Sequence, residues 1–107
     1  MYQGTTPALT FLISGIDLSA YKTFISFGKG RKEFLTKTSP DVITAYDSES
    51  EKTVIICQLT QEETFQMQGG VTVQARFVDE SENALATDKA VIEVKDVIYK
   101  EIITFGG

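Results

Sequence analysis

This sequence predicts an all-β fold, an immunoglobulin- or fibronectin-like sandwich of about seven strands with one short helical turn near residues 60–67. Three observations carry the prediction. Short apolar runs alternate with a two-residue period, and clusters of Gly, Pro, Asp and Ser break them at a spacing of roughly 8–12 residues. The clearest run, residues 71–78, puts Val71, Val73, Ala75 and Phe77 on one face and Thr72, Gln74, Arg76 and Val78 on the other. The best helix signal is a capping sequence with room for only a turn or two. A single cysteine and no tryptophan leave out the Cys–Trp–Cys signature of true immunoglobulin domains.

The elements follow in order. Residues 1–7 form a polar lead that is either loose or added to a sheet edge. In residues 7–13, Leu9, Phe11 and Ile13 alternate with Ala8, Thr10 and Leu12 as a first strand, closed by Ser14-Gly15. Residues 16–20 make an irregular loop in which Ile16 and Leu18 are expected to tuck inward. The second strand, 21–27, sets Tyr21, Thr23, Ile25 and Phe27 against Lys22, Phe24 and Ser26. Gly28-Lys29-Gly30 reads as a hairpin turn, because glycine supplies positive φ without strain. The third strand, 31–38, is rich in charge, which marks an edge, with Phe34 as its anchor. Ser39-Pro40-Asp41 is a turn, 42–46 a short fourth strand, and 47–51 an acidic turn.

Residues 53–78 form the unit around which the rest is arranged. Thr53, Ile55, Cys57 and Leu59 share one face of the fifth strand, and Val54, Ile56 and Gln58 the other. The apolar middle of both faces predicts a central strand covered, at least in part, on both sides. Thr60 and Glu63 have capping-box spacing, and Leu59 with Thr64 or Phe65 suits a hydrophobic staple. Phe65 and Met67 are expected to enter one end of the core, and Gly69-Gly70 to stop the helix. The connection is read as a crossover between sheets rather than a wide hairpin. After the loop 79–84, a seventh strand runs over 85–94 with Ala90, Ile92 and Val94 facing in. Residues 96–107 are too apolar for a disordered tail; they predict an extra strand or an oligomerisation arm.

Composition narrows function by exclusion. With 107 residues, a single domain spanning 1–107 is expected, large enough to bury a core without staples. A net charge of −5 argues against nucleic-acid binding, which calls for a basic stripe. No apolar run is long enough for membrane insertion, and Met1-Tyr2-Gln3-Gly4 does not open a secretory signal. Without histidine there is no Ser-His-Asp or Cys-His arrangement and no imidazole zinc site. One cysteine rules out a Cys-rich metal site, and mid-strand Cys57 reads as a small buried hydrophobe. Gly28-Lys29-Gly30 is too short for a phosphate loop.

The remaining candidates weigh toward structural roles. Asp47, Glu49 and Glu51, and then Asp79, Glu80, Glu82 and Asn83, are oxygen-rich loops of the kind calcium uses. Neither has the ordered EF-hand series, so solvated turns are expected. Glu62 and Glu63 are adjacent, but neighbours on a helical turn point apart, and capping explains them. Thr72, Gln74 and Arg76 form a polar row that suits a binding strip or, more often, a solvated sheet face. Most of the eleven aromatics sit at core phase. No catalytic, cofactor or metal residue is assigned, and no enzyme activity is expected.

Four segments carry a resemblance: Leu59-Thr60-Gln61-Glu62-Glu63-Thr64, Val73-Gln74-Ala75-Arg76-Phe77-Val78-Asp79, Ala84-Leu85-Ala86-Thr87-Asp88 and the opening Met1-Tyr2-Gln3-Gly4-Thr5-Thr6-Pro7. Together they resemble small, mostly uncharacterised proteins from phage and prophage structural gene regions of Gram-positive bacteria. A looser similarity is to the N-terminal β-sandwich of phage baseplate upper proteins. The sequence departs at Glu82-Asn83, where a glycine is common, and this leaves the turn type open. The resemblance implies a non-enzymatic virion structural or assembly protein of a tail or baseplate. Its partners would be other phage structural proteins and copies of itself, in the virion or in the bacterial cytoplasm before assembly. The second expectation, from another class, is a glycan-binding module, which needs flat, exposed aromatics.

Overall fold

Strand alternation resolves into two facing sheets. The computed structural model describes residues 1–106. In chain order the elements are β1 (Ala8–Ser14), β2 (Lys22–Lys29), β3 (Lys32–Lys37), β4 (Val42–Asp47), β5 (Lys52–Gln58), α1 (Gln61–Phe65), β6 (Gly69–Val78), β7 (Ala84–Ala86) and β8 (Ala90–Val94). One sheet has the order β1-β5-β4. The other runs β3-β2-β6, with β7 and β8 both on the far edge of β6. All named strand pairs are antiparallel.

The core lies between the sheets. Ile25 and Phe27 of β2, Val71, Val73, Ala75 and Phe77 of β6, and Ile55 and Cys57 of β5 all face it and are buried. Leu18, Leu59, Met67 and Val94 close its ends, and Leu9, Phe11 and Ile13 pack against it from β1. Full burial of one Val, Ile or Phe side chain contributes about 1.5–3 kcal/mol, so this stripe dominates cohesion. The predicted crossover is present: β5 belongs to one sheet, β6 to the other, and α1 joins them.

Several boundaries differ from expectation. Among the described residues there are eight strands where about seven were expected, because residues 85–94 form two strands, not one. The β6–β7 register pairs Arg76 with Ala86, whereas the β6–β8 register pairs Val73 with Ala90, one residue out of step. The extra residue is accommodated at 87–89. There Thr87 N–H donates to the Ala75 carbonyl (2.9 Å) and Thr87 Oγ1 accepts from Ala75 N–H (3.1 Å). This is the behaviour of a β-bulge. Ala90 shares the face of its partner Val73 but is exposed, and Val94 alone of the expected trio is fully buried. The helix ends at Phe65, well before Gly69-Gly70, and these glycines open β6 instead. β2 runs on through Gly28 and Lys29, with a register shift against β3 there. In the loop 79–84, Glu82 takes φ +65, the conformation a glycine would adopt without strain.

Both terminal segments are tied to the sandwich by hydrogen bonds. The lead does add to a sheet edge: Tyr2 forms a parallel bridge with Lys95, Gln3 N–H donates to the Lys95 carbonyl and Lys95 N–H to the Met1 carbonyl, both 2.8 Å. Gln3 is buried, and its Nε2 donates to the Met67 carbonyl (2.7 Å). Residues 96–106 form no strand and no helix. They are fastened by Ile103, whose N–H donates to Gln61 Oε1 (2.9 Å) and whose carbonyl accepts from Gln61 Nε2 (2.8 Å). The extra strand predicted for this segment is therefore not formed among the described residues.

Candidate functional site

A group of titratable side chains, the buried Lys37 with Asp41 and Glu63, gathers where β3 meets the start of α1. Thr60 is the N-cap: its Oγ1 accepts from Glu63 N–H (3.1 Å) and Glu63 Oε1 accepts from Thr60 N–H (2.8 Å). The same Glu63 oxygen takes a hydrogen bond from Lys37 Nζ at 2.6 Å. Lys37 also donates to the Gln58 carbonyl and lies 3.8 Å from Asp41 Oδ2. Its side chain is only 5% exposed. Burial pushes the Glu63 carboxyl up, but the Lys37 and Thr60 hydrogen bonds outweigh it and hold the group below the usual carboxylate range. Burial also pushes the nearby Cys57 thiol up to about 11, against the pull of Lys37. Lys37, bonded to the Gln58 carbonyl and to Glu63, fastens β3 of one sheet to the end of β5 in the other and to the start of α1.

The acidic loops satisfy themselves. Asp47 accepts from Ser50 Oγ (2.7 Å) and Glu49 N–H (3.1 Å). Asp79 Oδ1 accepts from Asn83 N–H (2.8 Å) and Ser81 N–H (3.0 Å), and its Oδ2 from Asn83 Nδ2 (3.1 Å). These bonds hold both carboxyls below their ordinary value: Ser50 chiefly for Asp47, the Asn83 N–H chiefly for Asp79. Among the described residues no three His, Cys, Asp or Glu side chains converge as a metal site.

The polar row on β6 is divided. Gln74 Nε2 is committed to the Thr87 carbonyl (2.9 Å) at the bulge. Arg76 is exposed and borders a depression of about 430 Å³ shared with Phe24, Ser26, Thr36 and Glu82. Three aromatics are exposed, Tyr2, Tyr99 and Phe105, and all lie on the terminal segments rather than on a sheet face.

The exposed apolar surface is of another kind. On the outer face of the three-stranded sheet, Ile43 and Ile56 sit opposite each other across β4 and β5, and Leu12 sits opposite Val54 across β1 and β5. Leu12 and Ile43 are each 59% exposed and Ile56 38%. β5 is central, as expected, but its outer face is uncovered, because no layer lies beyond this sheet. Ile16 is exposed as well, while Leu18 alone tucks in; Thr53 Oγ1 fixes the loop between them, donating to the Ile16 carbonyl (2.7 Å) and accepting from Leu18 N–H (3.0 Å). The arm adds Ile98 and Phe105, fully exposed, with Tyr99, Ile102 and Ile103 beside them. Large apolar side chains left in water over a continuous surface mark contact sites. Apolar content pointed to the C-terminal segment, whereas both faces of β5 were expected to be covered, at least in part, and Ile56 on its outer face is exposed.

Compared with protein-family models, with curated proteins and with solved structures, the chain gives no match. Among the described residues no helix is long and apolar enough to cross a membrane.

Proposed function

We propose that this chain is a non-enzymatic structural or assembly component of a phage or prophage virion, of the tail or baseplate. It works by contact with other phage structural proteins and with copies of itself. The observation that carries the reading is the arm of residues 96–106, which holds Ile98, Tyr99, Ile102, Ile103 and Phe105 in water while its backbone is tied to Gln61. A segment this apolar costs solubility unless something covers it. The sequence resemblance supplies the setting. The place of action is then the virion, or the bacterial cytoplasm before assembly.

The test is mass spectrometry of gradient-purified particles and assembly intermediates from a phage or lysogen encoding this chain. Stoichiometric recovery is expected, and recovery should fall when residues 96–107 are deleted. Absence of the chain from both particles and intermediates overturns the reading.

A further inference from the structure

Sheet edges expose unpaired backbone groups, and folded proteins blunt them with charge, bulges or cover. Three of the four edges here are treated in that way. β3 carries Lys32, Glu33 and Lys37 and has a register shift against β2. The β7–β8 edge is broken at 87–89, and residues 1–3 occupy its end. β4 carries Asp47 and leads into the acidic turn. β1 is untreated. Among the described strands longer than three residues, it alone has no charged side chain. Its register with β5 is unbroken from Ala8 to Ser14.

The backbone direction follows from the flanking bonds. Leu59 N–H donates to the Pro7 carbonyl and Gly15 N–H to the Glu51 carbonyl, both 3.0 Å, and both lie in the β1–β5 register. In an antiparallel ladder hydrogen-bonded pairs alternate, so the odd residues of β1 bond inward to β5. Ala8, Thr10, Leu12 and Ser14 therefore turn their N–H and C=O groups to the open side. The same four residues place their side chains on the outer face.

We propose that β1 pairs with β1 of a second copy, antiparallel and centred on Phe11, joining two three-stranded sheets into one of six strands. Ala8 then faces Ser14 of the partner, and Thr10 faces Leu12, so every outward backbone group is used. A two-fold axis sets like residues close together, which a charged strand resists and an uncharged one accepts. On the outer face the row Ile43, Ile56, Thr10 of one copy continues into Leu12, Val54, Ala45 of the other, doubling the apolar surface. This deepens the reading of the chain as a contact module by naming one partner and one edge.

The test is light scattering after size exclusion of the full chain from low to high micromolar concentration, with amide hydrogen exchange. A mass of twice 11.8 kDa is expected, with concentration-dependent protection of the Thr10 and Leu12 amides. Thr10→Pro removes an outward donor without touching the β1–β5 ladder, a position proline tolerates, and should return the monomer mass. Leu12→Lys, at an exposed site, should do the same by like-charge repulsion. Deleting residues 96–107 should leave the dimer intact. A strictly monomeric parent chain overturns the pairing but not the virion reading, which the particle experiment decides. A dimer that survives both Thr10→Pro and Leu12→Lys, or is lost only on arm deletion, also overturns it.

Discussion

Lys37 Nζ stands 2.6 Å from Glu63 Oε1, and this contact joins the edge strand of one sheet to the helix that leaves the other. The two residues are not equivalent. Lys37 is buried, whereas the Glu63 side chain is 18% exposed. Removing Glu63 leaves a buried ammonium with the Gln58 carbonyl and only the more distant Asp41 carboxylate to balance its charge, while removing Lys37 leaves a carboxylate that still has the Thr60 N–H and some water. Glu63→Ala is expected to cost about 2–4 kcal/mol and Lys37→Met about 1 kcal/mol. Urea unfolding of both variants checks this, and the reverse order would show that Lys37 does not depend on Glu63.

The same pair sets an acid dependence. The folded Glu63 carboxyl titrates below its unfolded value of about 4.3. As pH falls, the unfolded chain takes up this proton first. The stabilisation is therefore complete above the unfolded value and is lost as pH drops through the folded one. The stability gap between the parent chain and Glu63→Gln should be constant near neutrality and shrink below about pH 4. Denaturant midpoints measured across that range report it; a gap that does not change with acid would mean the pair does not titrate there.

Thr60→Ala removes one half of the capping box and should cost about 1 kcal/mol, with Thr60→Ser nearly neutral. The loss stays small because Glu63 Oε1 keeps its own bond to the residue 60 N–H. Thermal unfolding of the two variants separates the hydroxyl from the methyl group.

Two glycines with similar backbone angles should respond differently. Gly4 has φ +70, and a Cβ there would lie 2.6 Å from Phe65 Cζ. Gly69 has φ +67, and its Cβ would meet only the flexible tip of Lys29 at 3.3 Å. Gly69→Ala should cost about 1 kcal/mol from backbone strain alone. Gly4→Ala adds a ring clash and should cost about 2–4 kcal/mol. Equal losses would mean that the Phe65 ring moves aside freely.

How much of this was legible beforehand depends on the range of the interaction. Thr60 and Glu63 are three residues apart, so the capping box could be read directly. The core face of β6 could be read from period two. Lys37 could not, because in a charged edge run its burial depends on a partner 26 residues away. The bulge at 87–89 was hidden for a similar reason: it exists in the register against β6, and residues 85–94 alone read as one strand. Ile56 misled because an apolar side chain on a central strand looks buried whether or not a layer covers it. The arm was visible as an apolar run without a period, but its tie to Gln61 was not.

Cys57 is fully buried, and its thiol is raised to about 11, chiefly by that burial. At neutral to mildly alkaline pH it should resist a thiol-specific reagent in the folded protein and react at the rate at which the chain opens. Rapid labelling without added denaturant would contradict the packing.

The parallel bridge between Tyr2 and Lys95 has a mechanical consequence. Three hydrogen bonds hold this contact, from Met1 N to the Glu93 carbonyl, from Gln3 N to the Lys95 carbonyl and from Lys95 N to the Met1 carbonyl. Because the two segments run in the same direction, tension on Met1 against tension on the chain beyond Lys95 slides them past each other. The bonds then share the load and must break together, where a hairpin pulled from its open end would unzip one bond at a time.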